Sequence, residues 1–337
     1  MPEFSIAPDT IPAGRIVTAR SYLVDRFSPD VEIIALPEKT RAGGTVTWTS
    51  GTLTATPPPG PSRRRLLSKK PATQTAPDGR WILDMRLKSP ENWAHFLNNH
   101  IPLSFGLAER SGRDIQQATL LLPKAVPQYI LSAAQVFGLE VWATDDIVEG
   151  DGLAFDVAPW TAQRPERHTW VNLSGPRAVM AALDAEAPAK PLPRKVFLSR
   201  QDTRMLSNAA EIEALLGAMG FERVYPETLS PADQIRLIRG ADDIVAIHSA
   251  GLAPLLYCDP DHRPGRLVEL LPCGHMTDVY RAMAAEVGCD WIGVRGRIKP
   301  EYVRPAYQLD APFKAYSLDN FSVDPVSVER AFDLLQG

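Results

Sequence analysis

The sequence is poor in cysteine, with three in 337 residues: Cys258, Cys273 and Cys289. The odd number fits no complete disulfide framework, and the wide spacing fits no metal motif. Reduced thiols of a cytoplasmic protein are the simplest reading. A surplus of charge is lacking too: 36 Lys and Arg stand against 40 Asp and Glu, a formal net charge of −4. That balance argues against non-specific nucleic-acid binding as the main task. No apolar run approaches the ~18 residues of a membrane-spanning helix. The opening MPEFSIAPDTIPAGR contains an acidic residue and no apolar core, so it does not read as a secretory signal. Neither G-x-G-x-x-G after a first strand nor G-x-x-x-x-G-K-[ST] is present, which counts against a dinucleotide dehydrogenase and a P-loop enzyme. G-x-S-x-G is missing as well, which lowers the case for an α/β-hydrolase. No metal site is expected.

What the chain has in quantity is proline, 31 residues. Pro57, Pro58, Pro59 and Pro61 precede a basic cluster, Arg63, Arg64, Arg65, Lys69 and Lys70. This stretch reads as a solvated loop, with contact to anionic lipid or a phosphorylated substrate as the alternative. Pro188, Pro191 and Pro193 mark an interdomain linker over 186–195. Between these breaks lies a βαβ rhythm. Strands are expected at 81–87, 118–123 and 139–143, with helices opening at Ser89-Pro90-Glu91 and running from Val126 to Phe137 before Gly138. The second half repeats the rhythm, with strands at 195–199, 223–226, 243–247, 266–271 and 290–294. Asn208 with Glu211 reads as a capping box, Ser230-Pro231 as a helix start and Gly288 as a helix stop. A last helix is expected from about Val326 to Leu335.

These patterns predict an α/β protein of two doubly wound Rossmann-like domains facing a cleft. The expected divisions are an N-terminal extension over 1–80, a first domain over 81–185, the linker, a second domain over 196–310 and a tail with a helix over 311–337. In such sheets ligands sit where loops and helix N-termini converge at the carboxyl ends of strands. Arg200 and Arg204 follow the strand at 195–199, together with Ser199, Asp202 and Asn208. Two guanidiniums on one strand-end loop suit a diphosphate; pairing of Arg200 with Asp202 or another acid is the plainer reading. His248, Ser249, Ala250, Gly251 and Leu252 form a small-residue loop before a short helix, where an anion is favoured; His248 either meets a phosphate or merely packs. Glu269 is a carboxylate inside an apolar strand and needs a partner, either a ribose hydroxyl pair or a protein arginine. In the first domain Asn92, His95 and Asn99 share a helical face.

The run K-V-F-L-S-R-Q-D-T-R-M-L-S-N, Glu211, Gly220-Phe221, Gln234 and H-S-A-G-L resembles glycosyltransferase family 61 in order and spacing. The segment N-W-A-H-F-L-N-N-H-I-P resembles that family's N-terminal stretch, and the likeness covers roughly residues 80–300. It implies a GT-B fold and inverting, metal-independent transfer from a nucleotide-sugar, usually a UDP-sugar, with no obligatory cofactor. By this resemblance Arg200 and Arg204 neutralise the diphosphate, and His248 with the backbone of 249–251 adds phosphate contacts. Glu269 binds the ribose, and His95 is the general base, with Asp145 or Asp146 as substitutes. Three positions depart from the family pattern: Ser249 replaces Gly, Pro254 replaces Asn, and Asn208-Ala209 replaces Asn-Glu. The expected role is extension of a bacterial capsular or other surface polysaccharide. The acceptor is a glycan or lipid-linked glycan, reached from the cytoplasm with peripheral contact at the inner membrane. The rivals are a degenerate nucleotide- or glycan-binding scaffold, a sugar-nucleotide epimerase and a structural assembly protein.

Overall fold

The computed structural model describes residues 2–20, 30–41, 43–58, 71–87, 89–155, 174–188, 190–299, 301 and 316–336. The basic cluster at 63–70 lies outside them. The strands in chain order begin β1 (Glu3–Ile6), β2 (Asp9–Ile11), β3 (Gly14–Ala19), β4 (Val31–Leu36), β5 (Lys39–Arg41), β6 (Gly44–Ala55), β7 (Thr73–Thr75) and β8 (Trp81–Asp84). They continue with β9 (Ala118–Leu122), β10 (Glu140–Ala143), β11 (Ile147–Phe155), β12 (Lys195–Leu198), β13 (Glu222–Val224), β14 (Asp243–Ile247), β15 (Arg266–Leu271) and β16 (Asp290–Arg295). This is a mixed α/β protein of two compact units. Unit 1 comprises Met1–Asp9 and Arg41–Glu186; unit 2 comprises Thr10–Thr40 and Ala187–Gly337. The first 80 residues are thus shared between the units rather than standing apart from both. β2 and β5 pair as a short sheet of two strands.

Unit 1 is built on a seven-stranded sheet ordered β1-β6-β11-β8-β9-β10, with β7 also paired to β11. β8, β9 and β10 are parallel, as the βαβ rhythm requires. The rest of the sheet is mixed: β11 runs parallel to β8 and β7 but antiparallel to the long β6. Ile82, Leu121 and Val148 form one buried cluster on it, and Leu53 and Trp142 pack on them. The expected helix at 89–91 opens later. Asn92 is the cap, its Oδ1 accepting the His95 amide at 3.1 Å, and Trp93–His95 is the first turn. That turn runs through a π-helical segment, Phe96–His100, into the helix Ile101–Ser111.

Unit 2 holds the second seven-stranded sheet, ordered β13-β12-β14-β15-β16-β3-β4. All neighbours are parallel except the β3–β4 pair at the edge. Every residue of β14 is buried, and so is all of β15 after Arg266. A strand covered on both faces has no need of polar alternation, which explains the unbroken apolar runs. At roughly 1.5–3 kcal/mol per buried aliphatic side chain, Ile244, Val245, Ile247, Val268 and Leu270 anchor this layer. Ser230 caps the helix Pro231–Gly240 by accepting the Asp233 amide at 3.1 Å. Gly288, at φ +71°, ends the helix Val279–Val287 in the left-handed conformation that glycine adopts without strain.

The helix Pro325–Gln336 is part of this core, with Val328, Ala331 and Phe332 packed among residues of β3, β14 and β16. Asn208 does not form the expected capping box. Its side chain makes no cap bond; it donates to Glu211 Oε2 at 2.9 Å and grips Val323 through both the amide and the carbonyl of that residue. Among the described residues no helix is long and apolar enough to cross a membrane. All three cysteines are free.

Candidate functional site

The carboxyl ends of β12, β14 and β15 in unit 2 gather most of the residues of interest. β12 ends at Leu198, and the buried Ser199 extends the pairing by donating its amide to Val224 O at 2.9 Å. The following loop turns sharply, with Arg204 at φ +56°. A non-glycine residue held there costs backbone energy, and such strain gathers at functional sites. Tertiary contacts hold it: the Arg204 amide donates to Leu318 O, Nε to Ser317 O at 2.6 Å and Nη1 to His248 O at 3.2 Å. Arg200 folds over its own loop, with Nε donating to Thr203 O at 2.6 Å and Nη2 to Thr203 Oγ1 at 3.0 Å.

Among the described residues neither arginine forms a direct ion pair with a carboxylate, and Asp202 and Glu227 act on Arg200 only through their charge. Burial lowers the pKa of both guanidiniums; the charges of Glu227 and Asp202 work against this at Arg200, while Arg204 is lowered further by the charge of Arg200. Two half-buried cations in one another's field are unfavourable unless an anion joins them. A diphosphate matches their planar, paired donors.

Glu269, fully buried in β15, takes neither of the partners expected for it. His248 Nδ1 is hydrogen-bonded to Oε1, and Trp291 Nε1 donates to Oε2 at 2.7 Å. Both carboxylate oxygens are therefore engaged within the protein, and the group is fully buried. His248, at 4% exposure, lies with its ring 5.4 Å from that of Tyr280 and 5.1 Å from that of His275. Burial, reinforced by Glu269, raises the Tyr280 phenol pKa well above its ordinary value. Tyr280, Trp291 and His275 escaped the sequence reading. The available signal was the parallel register of β14 and β15, which sets Ala246 opposite Glu269 and brings His248 to the same end.

The loop after His248 is built by its own small residues. Ser249 Oγ accepts the Gly251 amide at 3.3 Å and caps the 3-10 helix Ala250–Tyr257. Gly251 is needed because a Cβ there would stand 2.9 Å from Pro226 Cγ. Leu252 is fully buried and is a core residue rather than a ligand group. Asn208 is committed to Val323 and Glu211, as described, and is no free ligand group. The remaining candidates lie in unit 1. His95 closes the helical turn Trp93–His95 and is half-buried. Asp145 Oδ1 accepts the Lys124 amide at 3.0 Å, while Asp146 accepts the Ala72 amide at 3.1 Å and the Gln74 side chain. Both carboxylates thus tie down backbone around the turn after β10.

The arrangement in unit 2, a parallel sheet with two arginines at its strand ends, is the kind that holds phosphate-bearing ligands in open α/β folds. The model of the glycosyltransferase 61 family matches residues 93–263, just over half of the chain, and the chain belongs to that family. The match includes His95, Arg200, Arg204 and His248, and stops short of Glu269, Tyr280 and Trp291. Two curated proteins of Oryza sativa subsp. japonica are similar. Alpha-1,3-arabinosyltransferase XAT2 is 28% identical over 146 residues, 42% of this chain and 21% of the relative. Alpha-1,3-arabinosyltransferase XAT3 is 28% identical over 129 residues, 37% of this chain and 19% of the relative. The aligned part spans about a fifth of the length of these relatives.

Proposed function

We propose that the chain is an inverting glycosyltransferase of GT-B type that moves a sugar from a nucleotide-diphosphate sugar, a UDP-sugar first among them, to a glycan acceptor. The observation that carries this reading is the Arg200–Arg204 pair: two partly buried guanidiniums without a carboxylate partner, beside the amides of 249–251. Departure of the nucleotide leaves negative charge on the diphosphate, and fixed cations stabilise that charge as it develops. Their presence supports transfer without an obligatory metal. His95 is assigned the general base on the family resemblance, and it is preferred to Asp145 and Asp146 because those carboxylates are occupied by backbone amides. The glycan acceptor is supported by the family and by the names of the rice relatives. Assignment to a bacterial capsular or lipid-linked polysaccharide, made in the cytoplasm beside the membrane, rests on the resemblance and on the basic cluster at 63–70 alone.

Two of the departures from the family pattern have structural homes. The Ser249 hydroxyl folds back onto the Gly251 amide, and Pro254 is buried inside the 3-10 helix. The test is calorimetric titration with UDP, GDP and CMP, with and without magnesium, followed by a screen of the matching sugars against glycan acceptors. Magnesium-independent binding of one nucleotide with transfer to a glycan is the expected result. Binding without transfer would favour the scaffold, and a changed sugar without acceptor would favour the epimerase. Binding of none would sink the donor-site assignment.

A further inference from the structure

His248 is buried, yet among the described residues only one of its ring nitrogens has a hydrogen-bond partner: Nδ1 faces Glu269, and Nε2 faces none. A carboxylate only accepts, and the second oxygen of Glu269 already accepts from the Trp291 indole. Set against an ionised carboxylate Nδ1 is the donor, which leaves Nε2 as the ring nitrogen open to a ligand. The groups facing the ring come from four elements: Glu269 on β15, Tyr280 on the helix Val279–Val287, His275 on the preceding loop, and Arg204 at the His248 carbonyl with Arg200 behind it. Burial keeps Tyr280 a neutral phenol. Without a ligand the two guanidiniums oppose a third cation; a bound diphosphate removes that opposition.

We propose that Glu269 is a positioning residue for His248, fixing its tautomer so that diphosphate binding draws one proton from solvent onto Nε2 and the resulting imidazolium donates to a phosphate oxygen. The proton returns to solvent when the diphosphate leaves. Glu269 acts through His248 and touches no ligand atom itself. The inference rests on the donor-site reading above and goes beyond it by giving the site a proton linkage.

The experiment is UDP titration of the parent and of Glu269→Gln at about pH 6 and about pH 8.5, either side of the imidazole range. Each titration is run in two buffers of different ionisation enthalpy, so that protons taken up are counted. The titration of UDP itself cancels in the comparison between variants. The parent is expected to take up more protons than Glu269→Gln. It should bind about tenfold tighter at the lower pH, as for a hydrogen bond to a charged group, with the gap closing at the higher pH. Equal proton uptake in both, or a gap that does not change with pH, would overturn the proposal and leave the donor site standing. Failure of the parent to bind UDP, GDP or CMP would overturn the donor-site reading and this proposal with it. If Glu269→Gln does not fold, His248→Gln carries the test, because it removes the titrating nitrogen and leaves Glu269 in place; unchanged proton uptake in that variant overturns the proposal.

Discussion

Each unit contains an interior arginine centre, and the two are finished in opposite ways. In unit 1 Arg86, with 1% of its side chain exposed, is saturated. It meets Asp84 through Nε and Nη2 at 2.9 and 2.8 Å, and donates to Ala55 O, Thr144 O and Asp146 O. That one side chain ties β6, β8 and the turn after β10 together, and its charge is cancelled on the spot. In unit 2 Arg200 and Arg204 spend their donors on backbone and a hydroxyl, and among the described residues neither is hydrogen-bonded to a carboxylate, although Glu227 and Asp202 act on Arg200 through their charge. A cation balanced within the protein is architecture. A pair left unbalanced stores an attraction that a ligand's charge completes.

Substitutions separate the two uses. The largest effect on folding is expected for Arg86→Met, which strands a carboxylate and three carbonyls. Breaking such a pair costs about 3–5 kcal/mol, readable by equilibrium urea unfolding, and a loss below about 1 kcal/mol would show that water replaces the lost donors. Arg204→Ala comes next and should act on both counts. It frees Ser317 O and His248 O, at about 1–3 kcal/mol of stability, and lowers nucleotide affinity by about tenfold or more. Arg200→Ala sharpens the contrast, since its partner Thr203 is three residues away in the same loop. Stability should move by less than about 1 kcal/mol while UDP affinity falls about tenfold or more; an affinity within twofold of the parent would remove Arg200 from the clamp.

The smallest effect is expected at the rim of unit 1, where Arg113 and Asp151 form an ion pair with side-chain exposures of 22% and 58%. Arg113 holds the Asp151 carboxyl below its ordinary 3.8. The stabilisation is therefore complete above that value and is lost as pH falls through the lower folded one. Solvent screening limits it to about 0.5 kcal/mol. Asp151→Asn should shift the thermal midpoint only slightly at neutral pH and not at all in strong acid. A large shift at neutral pH would mean that the pair is structural in the manner of Arg86.

The parts of the fold legible in the sequence are those whose signal is local. β9, β14 and β15 are continuous apolar runs because both faces are covered, and Ser230 and Gly288 punctuate helices by chemistry that acts over three or four residues. β6 carried a readable alternation, with Val46 and Trp48 buried between threonines, but its threonine- and glycine-rich run resembles a loop by composition. β11 is interrupted by Gly150 and Gly152, and its long antiparallel partner β6 lies about a hundred residues back. The site divides along the same line. Arg200, Arg204 and His248 announce themselves by following strands. The true partner of Glu269 does not, because it depends on how two parallel strands are aligned and on a tryptophan from a third. Asn208 was misread for a related reason: the cap spacing to Glu211 is present, yet the distant Val323 backbone claims the side chain.

The β3–β4 ribbon near the N-terminus has a consequence for how the chain is made. β3 docks on β16, with Ile16 opposite Gly293 and Val17 opposite Val294, so two neighbours in the finished sheet are separated by most of the polypeptide. At about 5–20 residues per second a ribosome needs on the order of tens of seconds to supply the second after the first. Until then β3 has no partner on that edge and β16 does not exist. Completion of the sheet is therefore a late event of high contact order, and nascent chains stalled before β16 should be bound by chaperones through the waiting ribbon, an interaction that release of the full chain abolishes.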